Sequence, residues 1–468
     1  MTPRRLFWFS VFSLVLGLWP ASLPAGELRL GRGTAIVTPP AGMPMGGSYS
    51  LRVSEGVLDE LQAKALVLEK DGVRAALVAC DLVSLSAPVV EQARRLIEQS
   101  TGLKGDQVMI SATHTHSGPL MNRGTRESAY GGEREIARKY MAWLPERIAE
   151  SVRLAASNLA PARVWAARES EESVSFNRRF WMKDGTVGWN PGKRNPNIAR
   201  PAGPIDPEIA VVYFDSPESK PLATYVNHAL HVAVTGGRRF SADYPGTIAK
   251  LLGETKGPEM LTVFTIGAAG NVNHINVSSA TPQSGPAEAA RIGTILAAGT
   301  LKALDRLESM PAERLQFRSE TVRLPLPEVQ PGETEPARQM AARAGAPNPP
   351  KFLELVQAFK VLDVAARDGR PLEAEVQVIT LGDQLAWVGL PGEIFVELGL
   401  MLKRASPFPY TMVAELAGGS IGYVPNRKAY PEGNYEVVSA RCGPGSGEML
   451  VEAATRMLVE LRGPASGR

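Results

Sequence analysis

Three apolar segments near the N-terminus, QAKALVLEK, RAALVAC and QVMISAT, read as strands, and APVVEQARRLIEQS between the second and third carries its apolar residues at helical spacing. A strand, a helix and a strand in that order commit the chain to mixed α/β architecture. The alternation continues with a helix from Arg134 to about Asn158, a strand PARVWAARES, a Gly/Pro/Asn-rich loop from Lys183 to Pro204, and strands EIAVVYFD and LATYVNH. A helix near Tyr244 to Gly253, strand LTVFTIG and a helix from Ala287 to about Leu307 follow. The expectation is one large α/β domain over 27–468, with mixed β-sheets flanked by helices.

Between Met310 and Arg370 the texture changes, and the passage PLPEVQPGETEPARQMAARAGAPNPPKF reads as a helical and Pro-rich excursion from the main sheet at about 325–370. EAEVQVITLGDQLAWVGL then reads as a hairpin around Gly382-Asp383, running through Pro391-Gly392 into the helix EIFVELGLMLKR. A last helix spans about Glu448 to Leu461, and no repeat of 20 to 50 residues is present.

Residues 1–26 read as an export signal: MTPRR is the basic region, LFWFSVFSLVLGLW the apolar one and PASLPAG the small-residue cleavage region. Arg4-Arg5 also fits a twin-arginine signal, with a generic basic region the plainer reading. No later stretch offers 18 consecutive apolar residues, so the mature chain is expected to be soluble, periplasmic or secreted, without a transmembrane span. The 51 Lys and Arg against 48 Asp and Glu give a net +3 with no basic run interleaved with aromatics, which argues against nucleic acid as a partner. Only Cys80 and Cys442 exist, too few for a disulfide scaffold, and Cys80 in RAALVAC reads as a buried thiol.

All five histidines fall in three short segments: His114 and His116 in ISATHTHSGP, His228 and His231 in NHALHVAV, and His274. In an extended segment alternate side chains face one way, so His114 and His116 can share a site, with the second pair as a source of further ligands. Glu393, after a strand and a Pro-Gly turn and in the first turn of a helix, is the best carboxylate. Asp81 is a second, as ligand or as acceptor for an imidazole N–H. GGSIG matches a nucleophile elbow at Ser420, but no helix follows it; GAAGN lacks the lysine of a phosphate loop and reads as a tight turn.

With these segments in view, the chain resembles the catalytic domain of the neutral/alkaline, non-lysosomal ceramidase family. SATHTHSGP carries the resemblance most specifically, and HVAVTGGRRFSADYPG, IGAAGNVN, VGLPGEIF, GYVPNRKAYPEGNYE and GPGSGEMLVEAA follow in that family's order, over roughly Leu28 to Leu461. The resemblance implies a zinc ion held by His114, His231, Glu393 and Tyr423, with His116, Arg178 and Tyr435 lining the substrate carbonyl and polar head. It further implies cleavage of an N-acyl amide, ceramide to sphingosine and fatty acid, by zinc-activated water. Asn273 stands where the family places a serine; an asparagine can hydrogen-bond a carbonyl or water but forms no acyl-enzyme. The chain also ends on its final helix, without the C-terminal β-sandwich domain of characterised members. A zinc hydrolase of another amide or ester, or a non-catalytic zinc-containing binding protein of the envelope, are the alternatives.

Overall fold

The computed structural model describes residues 26–121, 134–346 and 348–463. The region read as an export signal lies outside the described residues except for Gly26. Among the described residues no helix is long and apolar enough to cross a membrane.

The architecture is mixed α/β, one domain built around three sheets of one design. In the first sheet, β1 (Arg29–Ile36), β2 (Gln62–Lys70) and β3 (Val73–Cys80) pair antiparallel, helix α1 (Ala87–Thr101) crosses over, and β4 (Val108–Ala112) returns parallel to β3. Helix α2 (Glu135–Ser157) packs on this sheet; its buried Leu144, Ile148 and Val152 share a core with Val67 and Val78. The second sheet repeats the plan: β5 (Arg163–Ser170), β6 (Glu208–Asp215) and β7 (Pro221–His228) are antiparallel, and helix α3 (Tyr244–Lys256) carries the chain to β8 (Leu261–Ile266), parallel to β7. Helix α4 (Pro286–Leu304) closes that unit. In the third, β9 (Leu315–Leu324) pairs antiparallel with β10 (Leu372–Leu381) and β10 with β11 (Leu385–Leu390). Helix α7 (Val396–Ala405) leads from β11 to β12 (Tyr410–Glu415), again parallel.

Between β9 and β10 the chain leaves the sheet at Leu324 and rejoins it at Leu372, its register partner. The intervening residues carry α5 (Thr334–Ala341) and α6 (Phe352–Ala365). Two further helices, α8 (Tyr435–Ser439) and α9 (Ser446–Arg462), complete the chain. The stretch Lys183–Pro204, read as a loop, instead contributes Val187–Trp189 and Ile198–Pro201 to a small sheet with Arg179–Met182. Strands of three or four residues around a glycine turn are too short to show a two-residue period.

Leu66, Leu77 and Met109 from the first sheet, Val212 and Tyr225 from the second, and Ile379, Trp387 and Met412 from the third form one buried cluster where the three sheets meet. Each of the three sheets brings one parallel pair to this junction, and the residues just beyond the C-terminal ends of those six strands converge. Ala112 N–H donates to Leu416 O at 3.2 Å, Gly267 N–H to His228 O at 2.9 Å, Gly270 N–H to Ile394 O at 2.8 Å, and His116 N–H to Val232 O at 2.8 Å. Strand ends of this kind are where α/β folds deliver functional side chains.

Candidate active site

Strand β4 stops at Ala112, and His114 adopts a left-handed backbone with φ 70°, so the strand alternation expected to align His114 with His116 does not operate. The turn achieves the convergence instead: the two rings stand edge to face with centroids 4.7 Å apart and Nε2 atoms 3.2 Å apart. Left-handed backbone at a non-glycine residue costs free energy and persists where the surroundings impose it. Here His114 N–H donates to Leu82 O at 2.9 Å and the ring Nδ1 bonds Val83 O at 2.7 Å. Gly47, also left-handed at φ 75°, lies against His116 so closely that a Cβ there would sit 2.5 Å from the ring.

His231 reaches the same point from the loop after β7. Its Nδ1 bonds Ala269 O at 2.9 Å and its Nε2 lies 3.1 Å from that of His114. The loop is tied down by Asp243, whose Oδ2 accepts from Val234 N–H at 2.9 Å and Thr235 N–H at 2.7 Å. Glu393 was expected in the first turn of a helix, but α7 begins at Val396. Glu393 instead pairs in a short parallel bridge with Tyr423, and this register brings a glutamate and a tyrosine thirty residues apart side by side. Its Oε2 is 3.4 Å from Nε2 of both His114 and His231, and is buried without a hydrogen-bond partner among the described residues.

These groups fit a divalent metal. With Nδ1–H of His114 and His231 donated to carbonyls, each ring presents a lone pair on Nε2, the arrangement that outer acceptors impose on metal-binding imidazoles. Two lone pairs 3.1 Å apart and an orphaned carboxylate oxygen 3.4 Å from both repel one another; the Arg178 guanidinium, 3.3 Å from His231 Nε2, relieves one ring, and a cation at their common focus would join all three. Ligands about 2.0–2.2 Å from a tetrahedral ion lie about 3.3 Å apart, which matches the spacing. Burial holds His231 down to about 3 and His116 well below the usual imidazole range, so both rings are neutral at neutral pH. His114, His116 and His231 together place three ring nitrogens within 4.8 Å of one another.

Behind this focus Arg178 donates from Nη2 to Tyr423 Oη at 3.1 Å and to Gly270 O at 2.6 Å, and from Nη1 to His231 Nε2 at 3.3 Å. Glu436, fully buried, anchors the guanidinium from the other side at 2.9 Å and also bonds Arg179 at 3.1 Å. Burial opposes the Arg178 charge, but Tyr423 and Glu436 outweigh it and keep the group cationic. Burial and the Glu393 charge raise the Tyr423 phenol well above its usual range.

In front of the focus a cavity of about 410 Å³ is lined by His114, His116, Glu393, Tyr423 and Tyr435 among others. His231 and Arg178 lie beneath it rather than on its wall. Asn273 is not on the wall either: its amide N–H donates to Asn190 Oδ1 at 3.0 Å and its oxygen accepts from Ile275 N–H at 3.0 Å. Asp81 is no ligand and accepts from no imidazole; it pairs with Lys64 at 3.3 Å and accepts from Gln62 N–H. His228 bonds Ser175 and Glu208 O, and His274 bonds Gln283 O, both away from the cluster. Ser420 lies exposed on the rim of the cavity, and the chain after it enters the Tyr423–Val424 strand.

Several contributors escaped the sequence. The GAAGN turn delivers the Ala269 carbonyl to His231 and the Gly270 carbonyl to Arg178, and a Cβ at Gly270 would lie 2.5 Å from Glu393 O. Glu415, at the end of β12, accepts from Ile394 N–H at 2.7 Å and Ala269 N–H at 3.2 Å, bracing the segments that carry Glu393 and the acceptor of His231. Backbone carbonyls have no sequence signature, and Glu415 in a strand-like run carries none that separates it from a surface glutamate.

No protein-family model matches the chain, and no curated protein matches it. Solved structures do match it, two of them as follows. One is a neutral ceramidase from Pseudomonas aeruginosa, at TM-score 0.74 and 22% identity, covering 93% of this chain and 74% of that one. The other is a ceramidase complexed with C2, at TM-score 0.75 and 20% identity, covering 93% of this chain and 75% of that one. The chain has the fold of the neutral ceramidases across 93% of its length.

Proposed function

We propose that this protein is an exported, zinc-dependent amidohydrolase that cleaves an N-acyl amide of the ceramide class into a fatty acid and an amine. The observation that carries the reading is the meeting of two carbonyl-anchored imidazoles and the orphaned Glu393 oxygen at the floor of an open cavity. His114, His231, Glu393 and Tyr423 would hold the metal. Bound there, zinc polarises an amide carbonyl and lowers the pKa of water toward neutrality. His116, neutral and on the cavity wall, is placed to take a proton from the attacking water and return it to the leaving amine. The Tyr435 hydroxyl on the same wall donates to the developing oxyanion, worth about 3 kcal/mol for a well-aimed donor. Arg178 orients the Tyr423 phenol from beneath, and Asn273 holds the loop beside Asn190.

The test is hydrolysis of a fluorescent short-chain ceramide by zinc-reconstituted protein beside His114→Ala, with metal content measured on both. Wild type is expected to release the amine with one zinc per chain, and His114→Ala to lose at least about a thousandfold in kcat/KM together with the metal. Undiminished turnover by metal-free wild type would sink the metal-dependent reading. Absence of turnover with stoichiometric zinc would sink the ceramide assignment.

A further inference from the structure

The wall of the catalytic cavity is divided by element. Val83, Leu85, Leu120 and Met121 come from the loops after β3 and His116, whereas Asp363 and Arg367 come from α6 and its end, and Arg441 from the chain after α8. Asp363 and Arg367 also line a second cavity of about 640 Å³, whose other walls include Arg323, Arg370 and Glu373. The two cavities therefore share a wall. Among the described residues lining the two cavities, four guanidiniums stand against three carboxylates, one of them Glu393 at the far end of the first.

The balance is not made good by ion pairing. Asp363 is taken by Arg441 at 2.8 Å, and Glu373 lies 3.6 Å from Arg323. Among the described residues no carboxylate lies within 4 Å of Arg367 or Arg370, and these two groups are held in place by main chain. Arg367 donates from Nε to Arg370 O at 3.1 Å and from Nη2 to Pro371 O at 2.6 Å; Arg370 donates from Nε to Arg367 O at 2.9 Å. Those bonds cap the carbonyls beyond α6 and account for one edge of each guanidinium. Among the described residues, Nη1 of Arg367 and both Nη atoms of Arg370 have no hydrogen-bond partner. A planar guanidinium anchored at Nε with Nη donors to spare, both Nη atoms of Arg370 and Nη1 of Arg367, is pre-organised to bind a carboxylate or phosphate.

We propose that the second cavity is a subsite for an anionic group, so that the substrate is an amphipathic amide whose apolar arm lies along Val83, Leu85, Leu120 and Met121 and whose other arm ends in a carboxylate or phosphate on Arg367 and Arg370. This rests on the amidohydrolase reading above for the scissile bond, but the subsite itself does not. A neutral ceramide would leave the arginine cleft empty.

The experiment uses the zinc-loaded full chain and three matched N-acyl amides: one neutral, one with a terminal phosphate on the amine arm and one with a terminal carboxylate on the acyl arm. Binding of octyl phosphate and of neutral octanol is measured in parallel. At low salt kcat/KM is expected to favour one anionic amide over the neutral one by about tenfold or more, and the favoured compound identifies which arm carries the charge. In Arg370→Gln and Arg323→Gln, which line only the second cavity, that preference is expected to fall several-fold through KM, and raised salt should erode it in wild type. If no amide is cleaved but octyl phosphate still binds about tenfold tighter than octanol and loses this in Arg370→Gln, the subsite stands and the hydrolase reading fails. Equal handling of all three amides with no preference for octyl phosphate, or a preference that both arginine variants retain in full, overturns the subsite.

Discussion

Glu415 has no exposed surface, one carboxylate oxygen accepts two backbone N–H groups, and the other has no partner among the described residues. Burial, reinforced by the Glu393 charge, raises its carboxyl well above the usual range. A side chain held at such cost is explained by what it braces: the Ile394 and Ala269 amides flank Glu393, the proposed ligand, and the carbonyl that accepts from His231. Glu415→Ala is therefore expected to weaken zinc binding by about 10–100-fold, read by competition with a chromophoric chelator; unchanged affinity would show that the brace is dispensable. At this scale the sequence was uneven. Histidines confined to three segments exposed the cluster, and the resemblance supplied Tyr423, but Asp81 misled because an acid after a strand has the same pattern whether it faces a metal or, as here, a buried lysine.

Helix α6 shows what an element adds that its residues do not announce. Read from sequence as part of a helical, Pro-rich excursion, it lays fully buried Phe359 against Tyr49 with ring centroids 6.3 Å apart, and Phe352 against Trp189 and Tyr435 at 5.5 and 5.3 Å. Tyr49 and Tyr435 both line the catalytic cavity, so the excursion supports one of its walls. Phe359→Ala is expected to cost about 3–5 kcal/mol in urea unfolding and to raise KM for an amide substrate as Tyr49 loses its backing. A loss of stability with KM unchanged would confine α6 to a structural part. Long periodic elements were legible here, while the Lys183–Pro204 segment was not, because its strands gain their pairing from Arg179–Met182 rather than from their own pattern.

For the whole molecule, the proposed metal site joins three sheets: His114 follows the first, His231 the second, and Glu393 and Tyr423 the third. A ligand that binds only the folded state stabilises it, by about 2.7 kcal/mol when present at a hundred times its Kd, so on this proposal stripping the metal would loosen the junction of all three. Chelation is expected to lower the thermal midpoint by several degrees, reversibly with zinc, and to leave the midpoint of His231→Ala unmoved; a wild-type midpoint indifferent to chelator would contradict a metal at the junction. What the sequence by itself determined is local. Hydrophobic period and turn chemistry set the strand–helix–strand alternation, and composition gathered the histidines, because these depend on neighbours within a few residues. The tertiary structure decided which side chains meet. Residues more than a hundred positions apart become neighbours only when three parallel strand pairs meet at one junction, and that depends on how sheets pack through Trp387, Tyr225 and Met109 rather than on any single segment. The same packing sent His228 and Asp81 to structural partners and made GAAGN, read from sequence as a tight turn, the source of the acceptor that orients His231.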